Sequence, residues 1–136
     1  MSNASNRETV DLSHRLPDEG IRIPTRATFA GVEGAPLLAL GHNNCCPLLR
    51  LFNDQIEFRV LRKQRRPYSS IKSVGVHQGF LTNNIQIVWH GALLTFSANI
   101  SREDNLVEVV KFLQRKQVPL SPKAQTFLQE HRGDSA

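Results

Sequence analysis

No stretch of this chain approaches the roughly 20 consecutive apolar residues that a membrane-spanning helix needs. Met1 to Pro17 is polar, carries both charge signs and has no apolar core of a signal peptide, which predicts a cytoplasmic protein. Cysteine is confined to the adjacent pair Cys45 and Cys46. Neighbouring cysteines close a disulfide with each other only at the cost of backbone strain, so a secreted disulfide scaffold is not expected. Aromatic residues are few outside phenylalanine, with one Trp and one Tyr. No acidic residue occurs between Glu57 and Glu103. Glycine-rich phosphate loops, Gly-x-Ser-x-Gly and usefully spaced carboxylate pairs are all missing, so no catalytic residue and no cofactor is expected.

What is present suits one domain. The 136 residues can enclose a single core, and 40% of them are hydrophobic. Seventeen Lys and Arg against twelve Asp and Glu leave a formal charge of +5, which favours acidic partners.

Residues 1–24 mix Ser, Asn, Asp, Arg and Pro without a period and read as an N-terminal arm whose order would require docking. The domain proper is expected over 25–131, with a frayed tail at 132–136. Strands are predicted at Arg26–Gly31, Leu37–Gly41 and Cys46–Phe52. Asn53-Asp54 suits a tight hairpin turn. On the returning strand Ile56, Phe58 and Val60 share one face, and Glu57, Arg59 and Leu61 the other. Ile71–His77 follows as a strand, then a loop containing Gly79 and Asn83-Asn84. Ile85, Ile87 and Trp89 alternate on the next strand, a two-residue turn is expected at His90-Gly91, and Leu94, Phe96 and Ala98 close the set. Short links favour an antiparallel meander.

At Ser101 the period changes. Ser101 to Asp104 resembles an N-capping box, and Leu106, Val109, Val110 and Leu113 recur on one helical face. This predicts a cap helix over about 102–117, ended by Val118-Pro119. Ser121-Pro122 reads as an N-cap with proline at the first helical position, opening a short helix over about 122–131 with Ala124, Phe127 and Leu128 inward. The fold class is therefore α+β, mainly β: about six or seven antiparallel strands in a barrel or sandwich capped by a C-terminal amphipathic helix.

Three stretches resemble bacterial pleckstrin-homology-like (PH-like or GRAM-like) domains over residues 26–118: the hairpin Leu49 to Phe58, the segment Tyr68-Ser69-Ser70-Ile71-Lys72-Ser73-Val74, and the strand-to-helix switch from Phe96 to Leu113. The resemblance implies a non-catalytic binding scaffold for lipid headgroups, proteins or self-assembly. The chain departs from phosphoinositide-binding members in two ways: Lys and Arg are missing from the Asn53-Asp54 turn, and the only Trp, Trp89, stands on a predicted strand rather than in the final helix.

The candidate binding residues are Arg59, Arg62, Lys63, Arg65, Arg66, Tyr68 and Lys72. Arg62 to Tyr68 is expected to form a loop from which several cations project, and arginine grips phosphate or carboxylate through paired hydrogen bonds. The competing reading is a charged strand end that resists edge-to-edge pairing. A protein partner or self-association comes first. An anionic lipid surface, at the inner face of the membrane, comes second. Nucleic acid comes third, with Tyr68 as the stacking ring. The His42-x-x-Cys45-Cys46 pattern offers zinc-type ligands, but adjacent cysteines on a strand face opposite ways, so structural thiols are expected and no metal. A Cys–His nucleophile from Cys45 or Cys46 with His77 or His90 has no supporting spacing. Val107 and Phe112 widen the apolar arc of the cap helix and make that helix a candidate self-association face.

Overall fold

The structure, a computed structural model, describes residues 8–32, 35–43 and 45–131, with 35–43 described by backbone alone. Nine strands are present among the described residues: β1 Ile21–Arg22, β2 Thr25–Val32, β3 Ala35–Asn43, β4 Leu48–Leu51, β5 Gln55–Arg59, β6 Lys63–Pro67, β7 Ile71–Gly79, β8 Thr82–Trp89 and β9 Leu94–Ile100. Two helices follow, α1 Glu103–Arg115 and α2 Pro122–Glu130. The strands form two antiparallel sheets. Sheet A has the order β1-β4-β5-β6, and sheet B the order β3-β2-β9-β8-β7. The mainly-β, α+β class agrees with expectation, but the sheets do not close into a barrel.

The core lies between the sheets. Ile56 and Phe58 of β5 face inward, and the Phe58 ring stacks on Trp89 at 5.1 Å and meets Phe96 at 4.6 Å. Ile85, Ile87, Phe96 and Ala98 line the facing side of sheet B and are fully buried. Leu106, Val109, Val110 and Leu113 of α1 close this core, each at most 1% exposed. Phe112 is buried too, with its ring edge-on to Tyr68 at 5.6 Å, and Val107 packs against the same core. The wide apolar arc of α1 therefore serves the interior, which removes this helix as an association face.

Turn chemistry explains most boundaries. Around Asn53-Asp54 the expected hairpin forms, with Leu51 opposite Ile56 and the Phe52 N–H donating to the Gln55 carbonyl at 2.9 Å. Ser121 caps α2 by accepting from the Ala124 N–H at 3.1 Å, with Pro122 at the first turn. The end of α1 is a Schellman-type stop. Gln117 sits at φ 65, its N–H donates to the Gln114 carbonyl at 2.9 Å, and the Val118 N–H donates to the Leu113 carbonyl at 3.0 Å.

Several expectations fail locally. The capping box does not form: Arg102 is the N-cap without a side-chain cap bond, and Asp104 instead pairs with Arg102 at 2.9 Å. The β7–β8 connection is only Phe80-Leu81, because Gly79 pairs with Thr82 and the inward parity of Ile85 and Ile87 extends the strand back through Asn83 and Asn84. The β8–β9 connection has four residues, His90 to Leu93, with Gly91 at φ 69. Cys46 and the residues before Leu48 are not part of β4.

The arm shows the largest gain of order. Residues 8–24 dock on the body, and Leu12, Leu16 and Ile23 join the core. Asn105, fully buried on α1, accepts from the Val10 N–H at 2.9 Å and donates to the Glu8 carbonyl at 2.7 Å. Asn53 brackets Leu16 with bonds of 2.8 and 2.7 Å, and Arg115 donates to the Leu12 carbonyl at 2.7 Å. Gly20 turns the chain into β1 at φ +74, where a Cβ would stand 2.8 Å from the Leu51 carbonyl oxygen, so no other residue fits. Residues 1–7 and the tail 132–136 lie outside the described residues. Replacing Asn105 with Ala should lower stability by about 2 kcal/mol, because two buried hydrogen bonds are lost. It should also speed proteolysis within residues 8–16, as read by urea unfolding and limited trypsin digestion.

Candidate binding surface

The stretch Arg62 to Tyr68 is not a loop. Val60, Leu61 and Arg62 form the bend, and Lys63–Pro67 is β6, paired with β5 in the register Glu57 to Arg65 and Phe58 to Gln64. This segment has no apolar alternation, yet β5 templates it as the edge strand of sheet A. Strand parity then divides its cations. Lys63 and Arg65 point outward. Arg66 lies opposite inward-facing Ile56, half-buried, with its guanidinium 5.0 Å from the Trp89 ring centre.

The outer face of sheet A carries a row of four residues in register, Arg22, Arg50, Glu57 and Arg65, one from each strand. Strand spacing of about 4.8 Å makes this row about 14 Å wide. Glu57 is only 2% exposed although it lies on the outer face. The Arg65 Nε donates to Glu57 Oε2 at 2.7 Å, and the Arg50 Nε stands 3.3 Å from Oε1 without hydrogen-bond alignment. Arg65 also lies over the Phe52 ring at 4.8 Å. The charges that bury Glu57 are thus the ones that compensate it. The next row places Arg59 opposite Lys63. Arg59 donates through Nε to the Cys46 carbonyl at 3.0 Å, while its own carbonyl accepts from the buried Thr28 hydroxyl at 2.6 Å.

Six cations, namely Arg22, Arg50, Arg59, Lys63 and Arg65 on this face and Arg62 in the adjoining bend, share it with the single carboxylate Glu57. Their formal sum is +5, which equals the formal charge of the whole chain. The other eleven Lys and Arg balance the other eleven Asp and Glu. The net charge therefore belongs to one face. Arg22 and Arg50 were missed as candidates, although Ile-Arg-Ile at 21–23 and Leu-Arg-Leu at 49–51 already placed both on the polar side of an alternating strand.

The remaining candidates separate from this face. Tyr68 is 6% exposed and donates its hydroxyl to the Phe52 carbonyl at 2.6 Å. Burial pushes its phenol well above the ordinary tyrosine range, opposed by that hydrogen bond. It is a core residue and cannot stack on a base. Lys72 is exposed on β7, in the other sheet. Cys45 and Cys46 are both exposed in a bend before β4, so the expectation of buried or half-buried thiols on a strand is wrong. The backbone ends β3 just before them, and the side chain of His42 lies outside the described residues. Cys45 and Cys46 follow β3 at one edge of sheet B, whereas His77 stands on β7 at the opposite edge, with Nε2 3.4 Å from Gln86 Oε1. His90 is exposed in the β8–β9 turn. The structure therefore does not bring the cysteines and His77 together. An open groove of about 640 Å³ runs between the arm, the β4–β5 turn and the end of α1. Both charge signs line it, Asp18 and Asp54 with Arg15, Arg115 and Lys116.

Among the described residues no helix is long and apolar enough to cross a membrane, and no cluster of His, Cys, Asp and Glu could hold a metal ion. Glu57→Gln should cost about 1–3 kcal/mol, less than a fully buried pair because Arg50 and Arg65 keep solvent contact. Tyr68→Phe should cost about 1 kcal/mol, since one buried hydrogen bond is lost while the ring stays. Urea unfolding of each variant measures both. No protein-family model and no curated protein matches this chain.

Proposed function

We propose that this chain is a non-catalytic, cytoplasmic binding module on a PH-like plan, and that the outer face of sheet A engages an acidic surface on a partner protein. The observation that carries this reading is the concentration of the formal charge of +5 on one sheet face. The order of elements, two antiparallel sheets followed by a closing helix, supports the PH-like plan. A rigid sheet holds its arginines at fixed spacing, so little side-chain freedom remains to be lost on binding. Charge complementarity of this kind speeds encounter and rejects basic partners.

An anionic lipid surface is the second reading. Leu61 supports it: this leucine is 86% exposed in the bend beside Arg62 and Lys63, at the end of the basic face. An apolar side chain next to cations suits peripheral docking on headgroups, where each cation contributes about 1 kcal/mol. Nucleic acid loses its stacking residue, because Tyr68 is part of the core.

Arg62 and Lys63 are exposed and remote from Glu57, so their reversal tests the face without unfolding it. The double variant Arg62→Glu with Lys63→Glu should lose about tenfold or more in affinity for an acidic partner. The partner is captured from lysate by pull-down on the immobilised chain, a readout that does not need the Lys63 amine, and cross-links to Lys63 in the wild-type complex place it on this face. Capture that the reversal leaves unchanged would refute the proposal. Flotation with vesicles of neutral lipid alone, and with added phosphatidylglycerol, separates the lipid reading: recovery only with the anionic lipid, lost at high salt, would favour it over a protein partner.

A further inference from the structure

We propose that two copies of this chain pair through the outer face of sheet B. This proposal does not rest on the basic face of sheet A. From Ser73 to Ser101 the sequence contains no Asp, Glu, Lys or Arg. That span forms β7 from Ser73 onward, β8 and β9, three adjacent strands of one sheet, with the exposed Lys72 just before it at the start of β7. About a quarter of an ordinary sequence is charged, so so long a neutral stretch is unusual for strands with one side away from the core. Ile85, Ile87, Phe96 and Ala98 point into the core. The opposite parity carries Ser73, His77, Asn84, Gln86, Ser97 and Asn99, all half-buried.

The two turns at the ends of β8 are apolar and exposed. Phe80 is 90% and Leu81 72% exposed at one end, and Leu93 is 82% and Leu94 47% exposed at the other. These are four of the five large exposed apolar residues among the described ones. Leu81 also adopts φ 61, a conformation that suits glycine or asparagine better than leucine. A bulky apolar side chain is thus kept at a position that neither solubility nor backbone energy favours.

A second copy satisfies these features together. Reversing β8 across a two-fold axis lays the Phe80-Leu81 turn of one molecule over the Leu93 turn of the other, twice, and closes the assembly. Side-chain amides both donate and accept, so a face bearing Asn84, Gln86 and Asn99 complements itself. Charge selects the same occupant. Copies meeting through sheet A would oppose two faces of +5, whereas the stretch from Ser73 to Ser101 brings no formal charge together. A charged foreign partner finds no complement there. The resulting dimer carries its two basic faces on the outside, where they can grip one extended partner in two places.

Sedimentation velocity of the full chain between about 1 and 200 µM tests this. The expected result is a concentration-dependent dimer. Ser97→Arg places like charges across the axis, and Phe80→Ser with Leu81→Asn removes the apolar turn while suiting the backbone at residue 81. Each should raise the dimer dissociation constant at least about tenfold. Circular dichroism checks that each variant is folded. If Ser97→Arg does not fold, the turn variant alone decides. A wild-type monomer throughout the range, or a dimer unchanged by either folded variant, overturns the proposal. The Arg62→Glu, Lys63→Glu variant should still dimerise. Loss of partner capture with an intact dimer separates failure of one idea from failure of the other.

Discussion

Everything in this fold hangs on the two-residue alternation of β5. Phe58 points in and holds the sheets together through Trp89 and Phe96. Glu57, one residue earlier, points out and is held by Arg50 and Arg65. A slip of one residue in pairing would exchange these roles, placing a carboxylate against two aromatic rings and a phenylalanine among guanidinium groups. Neither side tolerates the exchange, so core packing and outer-face electrostatics enforce the same register. Glu57 acts as a lock on β5 as much as a partner for arginine.

That register also sorts the charge. Because β5 templates β6, Lys63 and Arg65 join the outer row, while Arg66 turns inward and lies over Trp89. Arginine suits the inward position, since its stem covers apolar surface and its flat cation stacks on an indole face. The run Arg62 to Arg66 is one block in sequence and two sites in space. The counterpart is sheet B, which carries no formal charge from Ser73 to the end of β9. One outer face is strongly basic, and the other includes a long charge-free stretch.

Much of this was legible in the sequence where one side of an element is buried. The alternation at Ile56 and Phe58, at Ile85, Ile87 and Trp89, and at Phe96 and Ala98 is what the core requires, and the helical spacing of Leu106 to Leu113 is the same kind of signal. Ser121-Pro122 was readable because capping is local. Three features were not. β6 has no apolar period, and its strand character comes from a neighbour 4 to 12 residues away in its pairing. The arm is ordered by side chains far away in the chain, Asn105 above all, and two leucines in a polar stretch do not announce that. The Asn83-Asn84 turn signal was real but lost to strand pairing, because Gln78 and Thr82 offer hydrogen bonds that keep the hairpin extended to Phe80-Leu81. In the arm a contact distant in sequence overrode local chemistry, and in β6 and the β7–β8 hairpin strand pairing did.

The cations of β6 raised two competing readings, a protected edge and a binding site, and the geometry makes them compatible. Pro67 has no N–H, so its pairing with Gln55 cannot be a hydrogen-bonded one. The hydrogen-bonded pairs are then Ile56 with Arg66 and Phe58 with Gln64, which turns the backbone groups of Lys63 and Arg65 toward the open edge. That edge is short, ends in proline and carries two outward cations, three devices that discourage another strand from adding. Edge protection acts in the plane of the sheet, whereas binding acts perpendicular to it, through side chains that stand off the face. Lys63 and Arg65 can therefore block strand addition and still present their charge to an acidic surface. What they repel is a second basic strand, and the nearest source of one is another copy of sheet A. The same charges that build the basic face thus also keep two copies of sheet A apart.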